Sequence, residues 1–181
     1  MKNITKIIIA IILAIPAFAQ QNQWICRTGE TSFFSETPLE NIAAVNKNVA
    51  SIIDFTKGEI AVRMTMTDFK FQNHLMEEHF NENYMESEKF PTGTFKGKIQ
   101  ETIDVTKNGT YDISAKGQLT MHGVSKERLI KGKLTINNGQ LTLISNIDVP
   151  LKDHNIEIPT LVMAKIAEVI AVKNKFVFTL K

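Results

Sequence analysis

Apolar and polar side chains alternate with a period of two through long stretches of this chain, and that rhythm constrains its fold more than any other feature. Phe95, Gly97, Ile99, Ile103 and Val105 share one parity, while Lys96, Lys98, Gln100, Thr102 and Asp104 hold the other. Successive strand residues point to opposite faces, so one face is buried and one is wet. Asn108-Gly109 follows, a dipeptide that tolerates positive φ and marks a tight turn. The alternation resumes with Tyr111, Ile113, Ala115, Gly117, Leu119 and Met121, and again with Ile130, Gly132, Leu134 and Ile136. Asn138-Gly139 turns the chain once more before Leu141, Leu143, Ser145, Ile147, Val149 and Leu151. Upstream, Val45, Val49, Ile53 and Phe55 read as a strand, Lys57-Gly58 as a turn, and Ile60, Val62, Met64 and Met66 as the partner strand. Phe176, Phe178 and Leu180 mark a terminal strand. These are long antiparallel strands joined by hairpins.

Two stretches break the rhythm. Leu75 to Met85 is charged and free of Gly and Pro, which predicts a short helix or irregular crossover; Thr160 to Glu168, after Pro159, predicts a second short helical piece. Neither could cover a sheet, so about eight long strands must bury their apolar face by rolling up or by pairing with another sheet. Closure also removes exposed edges. The expected fold class is all-β, an extended eight-stranded antiparallel barrel with one or two short helical crossovers. Such a barrel is just wide enough to be filled by its own side chains or to hold one small ligand. Its expected inward set is Val45, Val49, Ile53, Val62, Met64, Met66, Phe95, Ile99, Tyr111, Ile113, Leu119, Leu134, Leu143 and Ile147. Gly97, Ala115, Gly117, Gly132 and Ser145 are small inward positions. They either leave an apolar channel or mark bulges and bends.

Residues 1–19 have the layout of a secretory signal peptide: Lys2 and Lys6, the apolar run Ile7 to Ile15, then Pro16 and the small-x-small ending Ala17, Phe18, Ala19. Cleavage is expected between Ala19 and Gln20, leaving one domain over residues 20–181 in the periplasm or secreted. The apolar part, about 13 residues, is short of the roughly 20 that cross a bilayer. No later segment is long and apolar enough to span. Cys26 is the only cysteine, so no internal disulfide can form, and it reads as a small buried side chain near the first strand. Lys and Arg number 21 against 19 Asp and Glu, and the excess lies in Lys2 and Lys6. A balanced domain without a basic run disfavours nucleic acid as a partner.

Catalytic signals are missing. No nucleophile elbow, Walker loop or dinucleotide fingerprint occurs. His74 and Glu78 have the i,i+4 spacing of a metal-ligand pair, but no HExxH arrangement accompanies them. His122, in Met121-His122-Gly123-Val124, reads as a loop or rim residue, and the pairs Glu77-Glu78 and Glu86-Glu88 as a solvated face. Phe69, Phe71, Leu75, Met76, Phe80, Tyr84, Met85 and Phe90 differ from these, gathering rings and thioethers around the crossover. They would plug the barrel end or shape the mouth of an apolar cavity.

Several of these residues carry a family resemblance. His79-Phe80, Ser87-Glu88-Lys89-Phe90-Pro91 and Thr94-Phe95-Lys96-Gly97 resemble the His-Leu pair, Lys-Tyr-Pro element and Thr-Phe strand start of the YceI-like family, exported bacterial proteins of polyisoprenoid-binding, lipocalin-like type. The run from Gly117 to Lys126 resembles that family's G-x-L-T-x-x-G-V-T-K hairpin, and Asp153-His154-Asn155-Ile156 its late Asp-Phe-x-Ile element. Met76-Glu77-Glu78 stands where the family commonly has an Arg-Asp pair, Phe80 replaces Leu, and the stretch from His79 to Pro91 is one residue short. The resemblance implies a lipocalin-like barrel that binds a long isoprenoid or similar amphiphile, without catalysis and without a cofactor.

The leading expectation is therefore an exported lipid-binding protein whose ligand is a polyisoprenoid, quinone-like lipid or fatty acid. Candidate tail contacts are Phe69, Phe71, Met76, Phe80, Phe90, Phe95, Tyr111 and Leu119; candidate head-group contacts are His79 and Asn83. The alternative is a non-enzymatic interaction or structural module with a filled core, and a third is an exported hydrolase using His79 or His122. A homodimer is compatible with any of them.

Overall fold

In the computed structural model, which describes residues 22–160 and 164–181, alternation resolves into nine strands. They are β1 (Gln23–Glu36), β2 (Asn41–Asp54), β3 (Glu59–Thr65), the two-residue β4 (Lys70–Phe71), β5 (Thr92–Ile99), β6 (Gly109–Met121), β7 (Val124–Asn137), β8 (Gln140–Pro150) and β9 (Val169–Leu180). Each long strand pairs antiparallel with its neighbours, and β1 pairs with both β2 and β9. The eight long strands thus close into an up-and-down barrel, with β4 laid against β2. The expected leader, residues 1–19, lies outside the described residues. Among the described residues no helix is long and apolar enough to cross a membrane.

Turn chemistry explains the hairpins. Asn138 (φ 47°) and Gly139 (φ 77°) join β7 to β8, and His122 (φ 48°) and Gly123 (φ 72°) join β6 to β7. Both pairs hold the two positive φ values that a two-residue hairpin with right-handed twist requires. Between β2 and β3 the turn ends on Gly58, with Asp54 Oδ1 accepting from the Lys57 amide at 3.0 Å.

Several strand expectations are corrected, Met66 first: β3 ends at Thr65, and Met66 opens a 3₁₀ turn, Met66–Asp68, because its amide leaves the ladder for the Pro91 carbonyl. β5 stops at Ile99, so Ile103 and Val105 belong to a loop rather than a strand, and Asn108-Gly109 is no hairpin turn. The loop leaves the ladder because Asp104 Oδ1 binds both the amide and hydroxyl of Thr106, while Ile103 and Val105 fold under the barrel onto its core. Val45 is not inward: Ala44 and Asn46 are buried instead, and the parity changes before Val49. Asn46 Oδ1 accepts from the Asn48 amide at 2.9 Å, a local bond that draws the strand out of step. Phe55 lies in the turn beyond β2, and Leu151 in a 3₁₀ turn, Leu151–His154, beyond β8. The second helical piece falls partly outside the described residues, and residues 164–168 form a turn and bends.

β1 changes parity as well, from Trp24 and Cys26 to Gly29, Thr31 and Ser35. Gly29 faces Val49 across the β1–β2 pairing, so the two irregularities share one level and both strands bend together. A Cβ at Gly29 would overlap the ring of Phe176. At and below this level Val49, Ile53, Leu134, Leu141 and Phe178 are wholly buried, and that end of the barrel is solid. Cys26 is buried there, and burial raises its thiol pKa.

The other end is roofed by the crossover between β3 and β5. Asn73 caps α1 (His74–His79) by accepting from the Leu75 amide at 2.9 Å, and the chain continues as a π turn, Phe80–Tyr84. Glu77 pins this piece to β4, accepting from Lys70 Nζ at 2.6 Å and from the Phe71 amide at 3.3 Å. The Lys70 hydrogen bond holds the Glu77 carboxyl below its usual pKa.

Between β7 and β8 the wall is only half paired. β8 joins β7 from Gly132 to Asn137, and above that Val124–Lys131 and Asn146–Pro150 share no strand pairing. The 3₁₀ turn bridges the seam: Arg128 pairs with Asp153, His154 Nδ1 donates to the Val124 carbonyl at 3.1 Å, and His122 Nδ1 donates to the His154 carbonyl at 3.0 Å. His154 is fully buried, and burial pushes its imidazole pKa down.

Candidate functional site

Inward positions in the upper half of the barrel enclose a cavity of about 460 Å³. Ile60, Val62 and Phe95 line one wall, and Leu143, Ile147 and Phe176 the opposite one. A core filled by its own side chains would leave no such space, so the filled-core expectation is not met. The small inward residues divide between the two roles expected of them. Ala115, Gly132 and Ser145 line the cavity, while Gly97 and Gly117 lie opposite each other on β5 and β6. A Cβ on Gly117 would overlap the Lys96 carbonyl oxygen and the Gly97 backbone, so these two glycines permit a close strand approach.

Four rings roof the cavity. Phe80 lies 5.6 Å from Phe33, 5.6 Å from Phe69 and 5.2 Å from Phe71, centroid to centroid, in stacked and tilted arrangements. The lining then runs out to exposed side chains at Leu75, His79 and Lys165, and to Glu40, whose Oε2 is 3.7 Å from Lys165 Nζ. This mouth opens beside α1. On the seam side the lining reaches Ile130, Lys131 and Ile147.

The structure brings Phe69, Phe71, Met76, His79, Phe80, Phe95 and Leu119 together around the cavity. Asn83, Phe90 and Tyr111 are not among its lining. Asn83 is exposed on the π turn. Phe90 packs against His122 at 4.7 Å and occupies the space beside Gly123. Tyr111 sits at the solid end, its hydroxyl donating to the Lys107 carbonyl at 3.0 Å. Phe33 was missed by sequence reasoning because the parity change in β1 hides its direction. Thr31 and Asn174, buried polar residues in the cavity wall, were also missed, having no local motif.

The titratable groups are dispersed. His74 Nε2 and Glu78 Oε1 are 3.8 Å apart on an exposed face. Among the described residues no group of three or more His, Cys, Asp or Glu side chains is placed to hold a metal ion. His122 serves structure, its Nε2 lying 2.8 Å from Glu86 Oε2 and its Nδ1 bonded across the seam. The site is an apolar cavity with a partly charged mouth.

The same architecture occurs in solved structures. A polyisoprenoid binding domain from Saccharophagus degradans implicated in plant cell wall breakdown superposes with a TM-score of 0.75 at 11% identity, over 90% of this chain and 100% of that one. Burkholderia cenocepacia BcnA gives 0.70 at 13% identity, over 82% and 95% of the two chains. Campylobacter jejuni YCEI protein gives 0.57 at 14% identity, over 100% and 99%. At such identities the likeness concerns the fold alone. Comparison with curated proteins finds no match. The model of the YceI-like domain matches residues 29–178, a span that contains the barrel except the first residues of β1 and the last of β9, together with the roof and the whole cavity, and the chain belongs to the YceI-like family.

Proposed function

We propose that this protein is an exported binding protein that encloses the apolar chain of an isoprenoid or similar amphiphile in its lumen. The observation that carries this reading is the apolar cavity of about 460 Å³ inside a closed barrel. A cavity of about 150 Å³ takes one benzene ring, so this lumen has room for roughly eighteen carbons. Phe69, Phe71, Met76, Phe80, Phe95 and Leu119 are the proposed chain contacts, with His79 at the mouth. The driving force is removal of apolar surface from water, about 0.8 kcal/mol per buried CH₂ before the costs of ordering. The polyisoprenoid-binding description of the Saccharophagus degradans domain supports the same ligand class. Export rests on the layout of residues 1–19.

Native mass spectrometry with organic extraction of protein recovered from its own export pathway tests the reading. One stoichiometric amphiphile is expected. Protein that is reproducibly empty and takes up no added isoprenoid alcohol refutes it.

A further inference from the structure

One belt interrupts the apolar lumen. Thr31 on β1, Asn174 on β9 and Ser145 on β8 are direct cross-strand neighbours at a single level of the barrel. Thr31 Oγ1 donates to Asn174 Oδ1 at 2.8 Å, and Asn174 Nδ2 donates to Ser145 Oγ at 3.2 Å. All three line the cavity, and their exposures are only 1%, 9% and 7%.

A count of protons shows what the belt lacks. Two hydroxyls carry one proton each and the amide carries two, and the two bonds between them use half of that supply. Reversing the amide changes which hydroxyl donates but leaves the same number unspent. None of the three side chains donates to a backbone carbonyl of the described residues. The lumen residues nearest along the strands are Phe33, Leu143, Ile147, Val172 and Phe176, which offer no acceptor. Buried donors without acceptors are costly.

We propose that this belt is a deep subsite for an uncharged acceptor oxygen, such as a carbonyl, carried by the bound chain. The inference rests on the lipid-binding reading and names the ligand chemistry of the same lumen. Asn174 lies four residues below Ile170 on β9, about 13 Å into the barrel at 3.3 Å per residue. The floor, Phe176 and Phe178, begins just beneath it. The oxygen-bearing end therefore enters first, and the apolar chain extends back toward the phenylalanine roof. Among the described residues, the charged side chains of the lining are Glu40 and Lys165 at the mouth and Lys131 on the outward face of β7. A carboxylate or phosphate at the belt would meet no cation, which selects a neutral group.

Competitive loading tests this. Delipidated full-length mature protein is equilibrated with equal amounts of pentadecan-2-one, pentadecane and pentadecanoic acid at pH 8, re-isolated, and its extract quantified by gas chromatography. The ketone is expected over the hydrocarbon by about tenfold, the worth of one well-made hydrogen bond to an otherwise unpaired donor. Ser145→Ala and Thr31→Val, which keep the volume of the wall, are expected to reduce that preference to about threefold or less. Pentadecane loading of each variant is measured alongside, so that the preference is read as a ratio and a general loss of loading is not counted as a loss of preference. In the infrared, the bound carbonyl band of the ketone should lie at lower frequency in the parent than in Ser145→Ala. Equal loading of ketone and hydrocarbon by the parent overturns the belt assignment while leaving lipid binding in place, as does a preference untouched in both variants. A dominant carboxylate overturns the selection for a neutral group. If none of the three probes is retained, the lipid-binding reading falls, and the belt assignment with it.

Discussion

Replacing Ala115 by Phe would plug the lumen from its wall. Ala115 points inward on β6 between Ile99 on β5 and Ile130 on β7, and all three line the cavity. The added ring has the bulk of a benzene, which takes a cavity of about 150 Å³, so about a third of the lumen disappears. Six carbons of ligand lose their place, and at about 0.8 kcal/mol per buried CH₂ the chain loses about 5 kcal/mol, more than a thousandfold in affinity. The fold should not suffer, because the ring occupies space that is already empty. Titrations with geraniol, farnesol and geranylgeraniol, alongside thermal melts, separate the two effects. The parent should gain affinity with chain length up to farnesol or geranylgeraniol. The variant should hold geraniol within about tenfold of the parent, on the same per-carbon scale, yet lose the longer alcohols. An Ala115→Phe protein that melts like the parent and still binds farnesol equally well would refute chain enclosure in this lumen.

Three further outcomes follow from the geometry. Phe80→Ala removes the ring shared by three aromatic contacts of the roof, each worth about 0.5–1.5 kcal/mol, and should speed ligand release by roughly tenfold or more in stopped-flow displacement. Gly117→Ala drives a methyl into the β5 backbone and should cost about 3 kcal/mol, seen as a fall in Tm of roughly 6–12 °C. For His154 the fold holds the pKa below the unfolded value of about 6.5, so the unfolded chain takes up the proton first. Its contribution to stability is complete above that pH and falls as pH drops through the folded value. Thermal melts from pH 7.5 to 5 should show that loss, and His154→Asn should flatten it. Asp153, held down by Arg128, contributes in the same sense only below about pH 3.8, outside this window.

Much of the barrel was legible because its strands are wet outside and apolar inside. From Tyr111 to Met121 and from Leu141 to Val149 every inward assignment follows from alternation alone. The parity changes after Cys26 in β1 and after Asn46 in β2 were not legible, since each adds residues that a period of two cannot absorb. Phe33 was lost with the first of them and Val45 misplaced with the second. Ile103 and Val105 imitate a strand because they too bury alternate side chains, but beneath the barrel rather than within its wall. The aromatic cluster of the crossover was visible as composition, and Phe90 shows the limit of that signal: it has the same chemistry as Phe80 but is committed to His122. The belt was hidden because Thr31, Ser145 and Asn174 are distant in the chain and meet only through registers that closure defines.

The half-zipped wall separates two events that most closed barrels couple. Parting Val124–Lys131 from Asn146–Pro150 breaks an ion pair and two histidine hydrogen bonds to the 3₁₀ turn but disturbs no ladder rung, whereas opening β5 from β6, β6 from β7 or β8 from β9 would cost a row of them. The lumen reaches both flanks of this slit at Ile130 and Ile147. Under the proposed function, a bound chain would have a sideways route whose opening is governed by a few side chains rather than by the hydrogen-bonded ladder.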